Sequence, residues 1–104
     1  MKNREHERYL VEFPATFAGD SEGAGIVYNL GMGGCNVVTD RSPSIGAMLA
    51  VYLKAPGQSS TITVRMATVR WAMGYEIGIE FLGMEELERD RLAAFLLGLE
   101  NRAA

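Results

Sequence analysis

Between Tyr9 and Phe81 the chain alternates apolar and polar residues with a period of two. That spacing sends successive side chains to opposite faces of a strand, so each run predicts a half-buried β-strand. Val11, Phe13, Ala15 and Phe17 mark the first. Pro14 lies inside it, cannot donate to a ladder, and predicts an edge or a bulge. Residues 18–23 have turn composition, and Ile26, Tyr28 and Leu30 mark a second strand. A glycine-rich break, Gly31-Met32-Gly33-Gly34, separates it from a third strand, Cys35 to Thr39. Met48 to Lys54 predicts the fourth, with Leu49, Val51 and Leu53 on one face. The fifth, Thr61 to Trp71, changes phase: Ile62, Val64 and Met66 give way to Ala67, Val69 and Trp71. Such a slip predicts a β-bulge or a bend where the strand turns around a barrel. Tyr75, Ile77, Ile79 and Phe81 mark the sixth strand.

After Gly83 the period becomes helical. Met84, Leu87, Leu92, Phe95, Leu96 and Leu99 fall largely on three- and four-residue steps, with Glu85 and Glu86 where a helix start favours negative charge. The expected fold is mainly β: a six-stranded antiparallel barrel over residues 10–82, with a C-terminal helix over 84–101 packed on it. Closure removes the unpaired edges that an open sheet would expose. Residues 1–9 read as a mobile N-terminal arm, and the 104 residues form one domain.

Composition narrows the function. Apolar residues make up 48% and charged residues 22%, as in ordinary globular proteins. The net charge of −3 argues against a broad basic surface for DNA or RNA. No apolar run approaches the length of a membrane span, and the charged N-terminus carries no apolar signal segment. Cys35 is the sole cysteine, so nothing calls for an oxidising compartment, and a cytoplasmic location is expected. Cys35 reads as a half-buried thiol and His6 as a solvated side chain. No zinc spacing, phosphate loop or nucleophile elbow is present, so no enzyme and no metal is expected. Trp71 reads as core or barrel rim, and Arg89 and Arg91 as a solvated helix face paired with glutamates.

Two short motifs remain. Arg4-Glu5-His6-Glu7-Arg8 places two arginines four apart just before the first strand. Asn29-Leu30-Gly31-Met32-Gly33-Gly34 sits at the break between the second and third. In this order and at this separation they resemble the PilZ domain, with its R-x-x-x-R and [D/N]-x-S-x-x-G motifs. Arg4 and Arg8 match the first motif, and Asn29 and Gly34 match the ends of the second. Val69-Arg70-Trp71 is similar to the family's V-x-W segment, and Gly78-Ile79-Glu80-Phe81 to its G-[IV]-x-F strand. Gly31 departs from the pattern, standing where the family places serine.

The resemblance implies a stand-alone bacterial receptor for cyclic di-GMP that changes conformation on binding and signals to a partner protein. Arg4 and Arg8 would clamp phosphate or guanine through forked, charge-assisted hydrogen bonds, while Asn29, Gly31 and Gly34 position the nucleotide. Glu5 and Glu7 flank the arginines and lower the local positive potential. Gly31 has no hydroxyl, and losing one hydrogen bond to a charged group costs about ten- to a hundredfold in affinity. A degenerate domain that binds no nucleotide and serves as a protein–protein interaction module is the alternative. A monomer or weak dimer is expected in either case.

Overall fold

The computed structural model describes residues 7–103, with residues 102 and 103 described by their backbone alone. Six strands are followed by one helix: β1 (Arg8–Gly19), β2 (Gly23–Gly31), β3 (Gly34–Thr39), β4 (Met48–Leu53), β5 (Ile62–Met73), β6 (Glu76–Gly83) and α1 (Glu86–Ala103). All ladders are antiparallel, and they close in the order β1-β2-β3-β6-β5-β4. Two three-stranded meanders are thus joined twice, by β3 against β6 and by β1 against β4.

The alternation in the sequence is the inside–outside pattern of this barrel. Phe13, Ala15 and Phe17 point inward from β1, Leu49, Val51 and Leu53 from β4, and Ile77 and Ile79 from β6. The phase change in β5 is a real irregularity, with the pairing register slipping between Met66 and Ala67. Ile62 and Val64 are inward before the slip and Ala67 and Val69 after it, while Met66 is half exposed. A second slip between Val69 and Trp71 turns Arg70 and Trp71 outward, so Trp71 is not core.

Pro14 occupies neither an edge nor a bulge. The closed barrel has no edge, and the bulge in β1 falls earlier, between Leu10 and Phe13. The Pro14 carbonyl accepts from Lys54 N at 3.0 Å, just beyond the first β1–β4 pair, Ala15 with Leu53. The missing N–H therefore falls where pairing with β4 ends, and only the reciprocal bond to Lys54 at the end of that ladder is lost.

Helix α1 begins two residues after the predicted start, and Arg89 N closes its first turn on the Glu85 carbonyl at 2.9 Å. Leu92 and Leu96 are buried, and Phe95 meets Phe13 of the barrel edge-on, with ring centroids 5.8 Å apart at 85°. Leu87 does not join this stripe and stays exposed. Arg91 corrects the reading of a solvated face. One guanidinium nitrogen donates to both Glu88 carboxylate oxygens and to Thr61 O, the other to Ser60 O and Gln58 Oε1. Glu88 in turn accepts from Thr63 N at 2.8 Å. Together they pin the loop between β4 and β5 to the helix.

Candidate functional site

The start of β1, the β2–β3 turn and the middle of β6 meet on one side of the barrel. Arg8 opens β1 and pairs directly with Gly31, the last residue of β2. Its Nη1 donates to Asn29 Oδ1 at 2.9 Å and to the Gly34 carbonyl at 3.1 Å. Three of the sequence-predicted residues, 21 and 26 positions apart from the first, thus converge on one nitrogen, with Gly31 beside them. Arg8 and Tyr9 belong to the first strand and not to the predicted arm. Arg4 lies outside the described residues.

Both motif glycines are buried, and both are demanded by space rather than by backbone conformation. Neither has a positive φ. A Cβ on Gly34 would collide with the Ile79 carbonyl of β6, so this glycine lets β3 close on β6. A Cβ on Gly31 would lie 2.6 Å from the Glu7 carbonyl oxygen and 2.7 Å from Arg8 Cδ.

Beside Arg8 lies a shallow cavity of about 190 Å³, bordered by Gly33, Gly78 and Ile79 and by three side chains the motif reading did not assign to the site. These are Arg70, Trp71 and Glu80. Trp71 pairs with Gly78 across the β5–β6 ladder, and its indole takes the space a Cβ at position 78 would need. Arg70 contacts Glu80 at 3.4 Å, and both side chains are largely in solvent. Such an exposed pair contributes little, so Arg70 can exchange it for an anionic ligand at small cost. The phase slip visible in the sequence would place Trp71 on the inward face with Ala67 and Val69; the second slip, between Val69 and Trp71, turns it out, and the alternation carried no signal of it.

Glu7 does not neutralise Arg8. Its carboxylate accepts from the Tyr9 hydroxyl at 3.0 Å, and Tyr9 reaches Glu100 of α1 at 3.5 Å. These two carboxylates, Glu7 first through its hydrogen bond, raise the Tyr9 phenol above its ordinary range. Beneath the site, Cys35 is fully buried rather than half-buried. Burial pushes its thiol up to about 12, while the positive charge of Arg8 pulls it the other way. A protonated, inaccessible thiol is not a nucleophile. Among the described residues no cluster of metal-ligating side chains occurs, and no helix is long and apolar enough to cross a membrane.

This arrangement offers a forked cation, an amide, turn backbone and an aromatic wall around a shallow recess, which suits a flat, anionic, hydrogen-bonding ligand. No curated protein matches the sequence. Solved structures share the fold, among them the following two. The Bacillus subtilis inhibitor of motility (MotI/DgrA) superposes with a TM-score of 0.78 at 18% identity, over 100% of this chain and 55% of that one. The chain therefore spans about half the length of that protein. The PilZ domain of CeSA from a cellulose synthesizing bacterium superposes with a TM-score of 0.70 at 16% identity, over 90% of this chain and 98% of that one. The family model of the PilZ domain matches residues 2–98, nearly the whole sequence. The chain belongs to the PilZ domain family, a family of cyclic di-GMP receptors.

Proposed function

We propose that this domain binds cyclic di-GMP at the Arg8–Asn29–Gly34 site and passes the signal to a partner protein. The observation that carries the reading is the convergence of Arg8, Asn29 and the Gly34 carbonyl beside the recess bordered by Arg70 and Trp71. Cyclic di-GMP presents two phosphates and two guanines. Arg8 meets either group through a forked pair of donors. Arg4 joins it as the second clamp arginine, Asn29 faces a guanine edge, and Arg70 adds a third positive charge. Engagement of Arg4 by the nucleotide changes the surface beside the site, and a partner reads that change.

Calorimetric titration with cyclic di-GMP tests this. The unsubstituted protein binds at micromolar affinity or tighter, and Arg8→Ala loses about a hundredfold or more, because it removes charge-assisted hydrogen bonds. The stoichiometry distinguishes one bound nucleotide from a stacked pair. No heat and no thermal stabilisation at high nucleotide concentration would overturn the reading. The interaction-module alternative, favoured by the missing hydroxyl at Gly31, would then lead.

A further inference from the structure

We infer that Gly31 is a positioning residue for Arg8: its missing side chain is the seat over which the arginine stem crosses, so a serine there weakens the nucleotide site instead of completing it. This rests on the cyclic di-GMP reading above. It reverses the meaning of the departure from the family motif, which by itself counts only as a lost hydroxyl.

Arg8 and Gly31 face each other directly on the β1–β2 ladder. A Cβ on Gly31 would come within 2.6 Å of the Glu7 carbonyl oxygen, 2.7 Å of Arg8 Cδ and 3.6 Å of Arg8 Nε. Real Cβ contacts essentially never fall under 3.0 Å. The first neighbour is backbone, which a change of rotamer cannot move. The second is the middle of the arginine stem, and moving it carries the guanidinium along. Gly31 has no positive φ, so nothing but space calls for glycine at this position.

What the seat sets is the direction of the guanidinium. With the stem lying over Gly31, Nη1 reaches both Asn29 Oδ1 and the Gly34 carbonyl. Among the described residues Nε and Nη2 have no hydrogen-bond partner, and these two N–H groups form the fork that matches a phosphate or a guanine edge. The fork is oriented before any ligand arrives, so binding does not have to order it. A serine at position 31 would offer one hydroxyl and displace this fork. One new hydrogen bond does not offset two charge-assisted ones together with their preorganisation.

The test uses the full chain, with cyclic di-GMP as the titrant. Gly31→Ser and Gly31→Ala are each expected to bind at least tenfold more weakly than the unsubstituted protein. In ligand-free NMR spectra both are expected to move the Asn29 side-chain amide resonances as Arg8→Ala does, a change that a general loss of stability would not single out. Equal or tighter binding by Gly31→Ser would overturn the inference, as would Asn29 resonances that stay in place. Should either variant fail to fold, the unsubstituted protein decides: NOEs between Gly31 Hα and Arg8 Hδ protons are expected, and their absence refutes the seat. If that protein takes up no nucleotide, the functional reading fails by itself, and the NMR measurements still judge the seat.

Discussion

Arg8 and Arg91 both bond across the chain to backbone carbonyls and to an amide side chain, yet they do opposite things with their charge. Arg91 spends both terminal nitrogens on the protein and has Glu88 at 3.1 Å, with both side chains about four-fifths withdrawn from solvent. Arg8 spends one nitrogen, on Asn29 and Gly34, and has no carboxylate partner among the described residues. An arginine saturated and neutralised by its own protein is a fastener. One that is held from one side, with no carboxylate partner among the described residues, is a binding group. Spacing in the sequence does not distinguish these two roles, but the count of satisfied donors does.

Exchanging the two arginines for alanine gives the largest effects and the sharpest contrast. Arg91→Ala leaves Glu88, about four-fifths withdrawn from water, without its cation and frees the loop at residues 58–61. A loss of about 2–3 kcal/mol in urea unfolding is expected. Cyclic di-GMP affinity should stay within about threefold, since this corner shares no residue with the site. Arg8→Ala should do the reverse, with affinity lost and stability changed by about 1 kcal/mol, because its bond to Asn29 is exposed and its bond to Gly34 only part-buried. If Arg91→Ala also abolished nucleotide binding while the protein stayed folded, the division of labour would be wrong.

Two glycines carry the comparison into packing. Gly78, on the Arg8 side, lies under the Trp71 indole, so Gly78→Ala must push the ring away or distort β6. Overpacking of this sort costs about 1–3 kcal/mol. It should also change the tryptophan fluorescence, because Trp71 is the only tryptophan. Gly98, on the Arg91 side, lies within α1 with open space where a Cβ would go. Gly98→Ala should therefore stabilise the domain by about 0.5–1 kcal/mol, through helix propensity alone. Thermal unfolding of the pair measures both signs.

Most of the barrel was legible in the sequence because period-two alternation is imposed directly by a closed sheet with one wet face. Even the bulge in β5 showed, since a slip of one residue reverses which side chains are apolar. Pro14 misled because a proline harms a strand only where its N–H is needed, and where pairing with β4 ends is a tertiary fact. Leu87 misled because three- and four-residue steps name a face without saying how far the barrel extends beneath it. At the site, Arg8, Asn29, Gly31 and Gly34 were found by motif. Arg70, Trp71 and Glu80 fell within matched family segments but were not assigned to the site, because they arrive from β5 and β6, and no local pattern says which strands become neighbours. The role of Arg91 was hidden for the same reason, since three of its partners lie in a loop about thirty residues earlier.

The smallest effect is read from inside the barrel, at Cys35, where the positive charge of Arg8 reaches the core. The thiol is buried and pushed up to about 12 from an ordinary 9.0. Below pH 9 both folded and unfolded chains hold the proton, and the contribution to stability is fully present. As pH rises past 9, the unfolded chain gives the proton up while the folded one keeps it. Stability then falls, by up to about 1.4 kcal/mol per pH unit, until the folded thiol itself ionises. The Tyr28 phenol, raised to about 12 by burial and its bond to Glu76, adds a loss of the same sign from pH 10 upward. The window for the thiol alone is therefore pH 8 to 10. Across it, urea unfolding of the unsubstituted protein should lose about 1 kcal/mol more than Cys35→Ala does. Arg91→Ala should leave that difference unchanged, because Glu88 already cancels the Arg91 charge. Parallel curves for the unsubstituted protein and Cys35→Ala would mean that water reaches the thiol. The barrel wall beneath Arg8 would then be more open than the fully covered Cys35 requires.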